Sequence, residues 1–249
     1  MYALKNEEVG AGYDAGVRGV QYKNDYEFSR WFIRPRNRAE YYMTYLAVSR
    51  HLRGVQFKTC LEAGPGPGTW TRLLFRANPE AEFDLVDASE EMKNQFMLEM
   101  RGGKNVRYVV SDIMEYRAER PYDLFFSSRA VEYLDDKPAF FKKLTTLVKT
   151  GGRGLIATKN PKHGVRKSKE PQHQGQISMS DMEQHLTENG FIRIAFYPAV
   201  IRIPIISRFT SELSEYIFHK RIEKELDINA TNRIVESYIV TFERPKERV

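Results

Sequence analysis

Phe57-Lys58-Thr59-Cys60-Leu61-Glu62-Ala63-Gly64-Pro65-Gly66-Pro67-Gly68 is the stretch on which the fold turns. A short apolar run reaches an acid and then breaks into alternating glycine and proline, the pattern of a β-strand entering a tight turn. Working outward, residues 69–76 read as a helix closed near Pro79, and residues 83–87 as a second strand. Ser89 can cap the helix that follows, with Met92, Phe96 and Met100 on its apolar face. The alternation continues with strands at 106–110 and 122–126 and a helix at about 138–149 stopped by Gly151-Gly152. A strand at 154–158, a helix at 179–188 ended by Asn189-Gly190 and strands at 191–196 and 237–242 complete it. Upstream, Pro35 sits at a favourable first helical position, and Ala39, Met43, Leu46, Ala47 and Leu52 follow at helical spacing. Strands alternating with helices predict an α/β protein, a doubly wound, mostly parallel sheet covered on both faces. The connection after the sixth strand is too long for a hairpin and reads as an insertion, helical over 211–226.

In such a sheet, ligands bind outside the carboxyl ends of the strands, where the strand order reverses. A dinucleotide loop has G-x-G-x-x-G spacing and offers free backbone N–H groups to a pyrophosphate. Here the spacing is G-x-G-x-G, Pro65 and Pro67 have no N–H to give, and Glu62 adds negative charge just before the turn. These departures disfavour phosphate. They suit S-adenosylmethionine, which carries an adenosine, an ammonium and a sulfonium but no phosphate. Glu62 would attract the amino group, directly or through water. Asp87, 19 residues after Gly68, is placed to accept both ribose hydroxyls, and Asp112 to meet the adenine amino group.

The order E-x-G-x-G-x-G, then Val86-Asp87-Ala88-Ser89-Glu90-Glu91-Met92, then Ser111-Asp112-Ile113, resembles the class I S-adenosylmethionine-dependent methyltransferases. Tyr122-Asp123-Leu124-Phe125-Phe126-Ser127-Ser128 and the Gly151-Gly152 turn extend the resemblance, which covers roughly residues 55–200 and 236–244. It implies a seven-stranded sheet with an antiparallel last strand, an N-terminal helical lid over 1–54 and a cofactor-binding domain over 55–249 with an insertion at 201–236. It further implies that Gly64, Gly66 and Gly68 line the methionine moiety and that Asp87 holds the ribose. Ala88 and Met92 would pack on the adenine, Asp112 and Ile113 would read its edge, and Ser127 would lie under the methyl donor.

The chain of 249 residues is 41% hydrophobic and 29% charged, which excludes a mainly disordered polymer. No apolar run approaches the roughly 18 to 20 residues of a membrane-spanning helix, and the N-terminus lacks a secretory signal. The single cysteine, Cys60, excludes an intrachain disulfide framework and a multi-cysteine zinc site. A cytoplasmic enzyme without a metal is the expectation, either a monomer or a homodimer. Of the net charge of +6, residues 1–58 carry +4 and 159–175 another +4, whereas 59–158 sum to −1. If the lid and the loop after strand five both reach the carboxyl edge, the positive segments frame the mouth of the site.

Methyl transfer needs a general base only when the nucleophile arrives protonated. His163 and His173 are the best-placed candidate bases, while Arg129 and Glu132, after strand four, are candidates for orienting a nucleophile. Arg34 and Arg36, flanking Pro35, would clamp a carboxylate or phosphate, with Tyr13 and Tyr22 closing the lid. The motif of enzymes that methylate exocyclic base amines is missing after strand four. Cys60 is misplaced for a cytosine C5 nucleophile. The expected acceptor is a small or medium-sized anionic or amphiphilic molecule (a lipid, glycan or natural-product intermediate), methylated at oxygen rather than nitrogen. The apolar, arginine-spaced run 201–209 would allow peripheral membrane contact. The alternatives are an RNA methyltransferase using its basic segments and a non-catalytic binder of the cofactor.

Overall fold

In the computed structural model, whose described residues are 6–19, 25–100, 105–163, 175–203, 212–230 and 232–246, the strands form one seven-stranded sheet. They are Thr59–Ala63 (β1), Glu82–Asp87 (β2), Val106–Val110 (β3), Tyr122–Ser128 (β4), Val148–Lys159 (β5), Ile192–Ile201 (β6) and Val235–Glu243 (β7). Their spatial order is β3-β2-β1-β4-β5-β7-β6. The first six run parallel, and β7 slots between β5 and β6 antiparallel to both. The direction of winding reverses between β1 and β4, so the crevice expected of such a sheet opens there. Ala63 pairs with Val86 on one side and Ser127 on the other, which brings the carboxyl ends of β1, β2 and β4 level.

The helices are Asn6–Arg18 (α1), Tyr26–Trp31 (α2), Pro35–Leu52 (α3), Thr71–Ala77 (α4), Glu90–Met100 (α5), Lys137–Leu147 (α6), Met179–Glu188 (α7) and Glu212–Arg221 (α8). One face of the sheet is covered by α3, α4 and α8 through Met43, Ala47, Leu74 and Phe218. The other is covered by α6 and α7 through Phe140, Leu144, Met182 and Leu186. With helices on both faces, β4 is buried along nearly its whole length, which explains its unbroken apolar character. Side-chain caps start the helices where polar residues precede them. Asp136 accepts from Ala139 N at 2.9 Å, Ser178 from Asp181 N at 3.2 Å and Ser89 from Met92 N at 3.1 Å. No helix among the described residues is long and apolar enough to cross a membrane.

Two elements differ from the sequence expectation. Gly151-Gly152 does not stop α6. The helix ends at Leu147, and the glycines lie inside β5, where the register against β4 shifts between Tyr122 and Leu124. In the insertion, α8 stops at Arg221 because Leu226 is drawn into the core, its N–H donating to the Phe196 carbonyl at 2.7 Å.

The outer strands are pinned by Asp84 of β2. It accepts from Arg107 of β3 at 2.7 and 2.8 Å and from Tyr116 at 2.9 Å, and it also accepts the Tyr122 hydroxyl of β4. Burial works against its charge, but the Arg107 and tyrosine hydrogen bonds hold the Asp84 carboxyl below its usual range. A depressed carboxyl contributes stability that is present above the unfolded value and lost as pH falls through the folded one. Asp84→Asn is therefore expected to cost about 1–3 kcal/mol at neutral pH. Urea denaturation should show that gap narrowing as the pH falls from the unfolded carboxyl's value of about 4 through the lower folded one.

Candidate active site

The turn after β1 is built by its backbone. Gly64 donates its N–H to Val86 at 2.8 Å and has a φ of +72°; a Cβ there would collide with that of Ala130. Gly66 donates its N–H to Asp87 Oδ2 at 2.9 Å and accepts the Tyr108 hydroxyl at 3.0 Å. The other Asp87 oxygen accepts from Ser89 N at 3.0 Å. Asp87 thus ties the glycine turn to the start of α5 while keeping lone pairs free on each oxygen. Burial raises its pKa to about 6, against the pull of the Gly66 and Ser89 N–H groups and with a further push from Asp14.

Glu62 is 1% exposed. Its Oε2 accepts the Thr71 hydroxyl at 2.7 Å, whereas Oε1 is buried without a hydrogen-bond partner among the described residues. Burial pushes this carboxyl up to about 8, moderated by Thr71 and reinforced by Asp87. A buried carboxyl with one oxygen unanswered is a receptor for a cation.

A cleft of about 1130 Å³, open to solvent, lies at the switch point. Of the residues expected to hold the cofactor, Gly64, Gly66, Asp87, Ala88, Met92, Asp112, Ile113 and Ser127 line it. Glu62 and Gly68 do not. Glu62 lies behind the turn. Gly68 faces α5, where a Cβ would stand 2.9 Å from the Phe96 ring, so its bareness serves packing. The Ser127 hydroxyl donates to the Ala63 carbonyl at 3.0 Å, joining β4 to β1 beneath the cleft.

The cleft is lined as well by Tyr13, Tyr26, Arg30, Trp31, Arg129 and Tyr133. The Tyr13 hydroxyl donates to that of Tyr133 at 3.1 Å, and the Arg30 guanidinium lies 4.3 Å from the Trp31 ring centre. Arg129 follows β4 in a left-handed conformation, φ +66°, held by its N–H on the Ala157 carbonyl at 2.8 Å. Its Nε donates to Glu132 at 2.8 Å and its Nη1 to Glu40 at 3.1 Å. Among the described residues, Nη2 makes no hydrogen bond. The wall behind Arg129 is an ion network. Glu40 also receives Lys159 at 2.9 Å, with Arg30 at 3.7 Å and Arg202 at 3.5 Å. Glu236 receives Lys159 at 2.8 Å and Arg202, and Glu132 takes Thr158 Oγ1 and Lys159 N. Burial opposes the charge of Glu40, but Lys159, Arg30 and Arg129 hold its carboxyl well below the usual range. α1 roofs the cleft, with Asp14 accepting the Ser89 hydroxyl and Arg18 paired to Glu91 at 2.7 Å.

Other expected site residues fall elsewhere. Arg34 and Arg36 are exposed at the start of α3 and outside the cleft lining. Arg36 instead approaches Glu236 at 3.7 Å. His163 is also outside the lining. Its Nε2 donates to the Arg202 carbonyl at 2.9 Å, and burial lowers its pKa. Tyr22, His173 and loop residues 164–174 lie outside the described residues. Lys159, expected to begin a basic mouth, is consumed by Glu40 and Glu236. Glu40, Tyr133, Arg202 and Glu236 were not anticipated. Glu40 was findable, because it interrupts the apolar stripe of Ala39, Met43 and Ala47 with a charge.

Residues 60–152 match the family model described as "Methyltransferase domain". Malonyl-[acyl-carrier protein] O-methyltransferase 1 of Ilyobacter polytropus is 30% identical over 98 residues, 39% of this chain and 37% of that protein. Trans-aconitate 2-methyltransferase of Yersinia pestis is 26% identical over 135 residues, 53% and 49% respectively. The chain thus spans about half, or less, of the length of these relatives. Among solved structures, the [4+2]-cyclase SpnF superposes with a TM-score of 0.67 at 14% identity over 99% of this chain and 98% of that one. Haemonchus contortus phosphoethanolamine N-methyltransferase 2 in complex with S-adenosyl-L-methionine superposes at 0.64 with 17% identity, over 94% and 60%. Residues 60–152 belong to the methyltransferase-domain family, and the chain has the fold of the class I S-adenosylmethionine-dependent methyltransferases.

Proposed function

We propose that the protein is an S-adenosylmethionine-dependent methyltransferase that esterifies a carboxylate oxygen of a small acid. The observation that carries the reading is Arg129, strained, partly buried and lining the same cleft as the glycine turn, with Nη2 unused among the described residues. A guanidinium fixed at two of its nitrogens and free at the third is preorganised for an anion. Arg30 beside it is charged too, and its weak 3.7 Å pairing to Glu40 leaves hydrogen-bonding capacity. The related proteins named for malonyl and trans-aconitate acceptors are consistent with an acid.

The cofactor would be held as the cleft's chemistry suggests. Glu62 answers the ammonium, Asp87 the ribose hydroxyls, Ala88 and Met92 the adenine face, and Asp112 with Ile113 its edge, while Gly64 and Gly66 admit the methionine portion. When bound, S-adenosylmethionine supplies a methyl group activated by its sulfonium. The protein's task is then positioning. Arg129 and Arg30 orient the acceptor, the aromatic rings of Tyr13, Tyr26 and Tyr133 exclude water, and α1 to α3 act as the lid. No base is required, because a carboxylate arrives ionised near neutral pH. The alternative of RNA as acceptor has one cation fewer to draw on, since Lys159 is paired with Glu40 and Glu236. A cofactor binder without catalysis remains testable, because the fold itself also serves a cyclase.

A labelled-methyl transfer assay against a panel of small carboxylic acids tests the reading. Base-labile, ester-linked label is the expected result, and label confined to amines or to RNA would overturn it. At saturating cofactor, kcat should be flat from about pH 6 to 9, whereas an ammonium acceptor would give a rate that climbs with pH. Arg129→Met should raise the acceptor KM by about 10- to 100-fold, the equivalent of one charge-assisted hydrogen bond, with little change in cofactor affinity.

Glu62 gives a second prediction. Its folded pKa of about 8 exceeds the unfolded value. The ligand-free chain therefore holds this proton more tightly than the unfolded chain and loses stability as pH rises through that window. A bound ammonium favours the ionised carboxylate and expels the proton. Cofactor affinity should rise between about pH 5.5 and 7.5 by at most about tenfold per unit for this group. Glu62→Gln should flatten that component, weaken binding, and raise the melting temperature of the ligand-free protein at pH 8. Calorimetric titration and thermal melts measure all three.

A further inference from the structure

Glu40 lies on α3, outside the strand scaffold and outside the cleft lining. Its carboxylate nevertheless reaches both arginines that line the cleft, Arg129 at 3.1 Å and Arg30 at 3.7 Å. Its Oε1 is shared between these two and Lys159, and Oε2 faces Arg202. The second hold on Arg129 is Glu132, which is itself fixed to β5 by Thr158 Oγ1 and the Lys159 N–H. Two carboxylates approaching one guanidinium at Nε and Nη1 fix its plane. Only one of them, Glu40, comes from the lid side, and only that one also touches Arg30.

Among the described residues the network is unbalanced. Within it, Arg30, Arg129, Lys159 and Arg202 face Glu40, Glu132 and Glu236, so four largely buried cations meet three carboxylates. The uncompensated positive charge is least costly where an anion can reach it, at the cleft-lining pair Arg30 and Arg129. Glu40 sits between that pair and the interior cations Lys159 and Arg202, and so decides which guanidinium nitrogens are spent internally and which remain for a ligand.

We propose that Glu40 is a positioning residue for the acceptor: it aims Arg129 at the acceptor's carboxylate and thereby makes α3 part of the acceptor site. The proposal rests on the carboxylate reading above. It assigns Glu40 no contact with substrate or cofactor. Its effect is transmitted through Arg129, and this separates it from a residue that merely holds the fold together.

The test uses the full chain loaded with S-adenosylhomocysteine and titrated calorimetrically with trans-aconitate as the probe acid, alongside steady-state methylation of the same acid. Glu40→Gln keeps size and removes charge. The expected outcome is a probe Kd and KM at least about tenfold weaker, with kcat and S-adenosylhomocysteine affinity changed by less than about threefold. In the Arg129→Met background the same substitution should change probe affinity by less than about twofold, because the residue it acts through is gone. Glu40→Asp, which retains the charge on a shorter arm, should fall between wild type and Glu40→Gln, and it serves as the working variant if Glu40→Gln does not fold.

Unchanged probe affinity in a folded Glu40 variant would overturn the proposal. So would an equal loss from Glu40→Gln with and without Arg129. If wild type and Arg129→Met bind the probe alike, or wild type does not bind it, the carboxylate reading fails instead, and the proposal falls with it.

Discussion

The interior ion network is the constraint to which the rest of the molecule answers. Its members come from α2 (Arg30), α3 (Glu40), the segment after β4 (Arg129 and Glu132), β5 (Lys159), β7 (Glu236) and the end of β6 (Arg202). Each ion removed from water costs several kcal/mol unless its partners are in place. These elements must therefore converge together or leave charges stranded, and deleting one partner is worth about 3–5 kcal/mol of destabilisation. The lid is consequently bound to the sheet by the same groups that shape the cleft. The antiparallel insertion of β7 between β5 and β6 gains a purpose here, since it carries Glu236 to within 2.8 Å of Lys159.

The cleft carries both signs of charge. Asp87 and Asp112 line it together with Arg30 and Arg129, and Glu62 is buried at the end of β1. On the proposed reading, a cationic donor is drawn to the acids and an anionic acceptor to the arginines. Methyl transfer between them removes the sulfonium's positive charge and one carboxylate's negative charge, while the cofactor's ammonium and carboxylate stay. The attraction between donor and acceptor is thereby weakened on both sides at once, which favours release. The left-handed backbone at Arg129 belongs to the same economy, because the strain is borne where the side chain must leave β4 at a fixed angle.

The cofactor half was largely legible in the sequence because its determinants are local. One glycine turn and two acids at strand ends lie within about fifty residues, and strand periodicity places them at one edge. Spacing alone does not distinguish a glycine that admits ligand from one that, like Gly68, admits the Phe96 ring. Arg129 and Glu132 could be singled out after strand four, but their partners Glu40, Arg202 and Glu236 were not legible, since tertiary pairing brings them together across nearly two hundred residues. Net charge by segment has the same blind spot: it counts Lys159 toward a basic mouth, whereas its ammonium is paired inside the fold with Glu40 and Glu236.

Cys60 lies at the heart of β1, fully buried, with its thiol pushed far above the normal range by burial and by the neighbouring acids Glu62 and Asp84. The thiolate is the form that reacts with oxidants and alkylating reagents. As the only cysteine in the chain, it leaves the folded protein without a reactive thiol. Consumption of a thiol reagent therefore times the opening of the central strand, and the molecule carries a single built-in clock for its own unfolding.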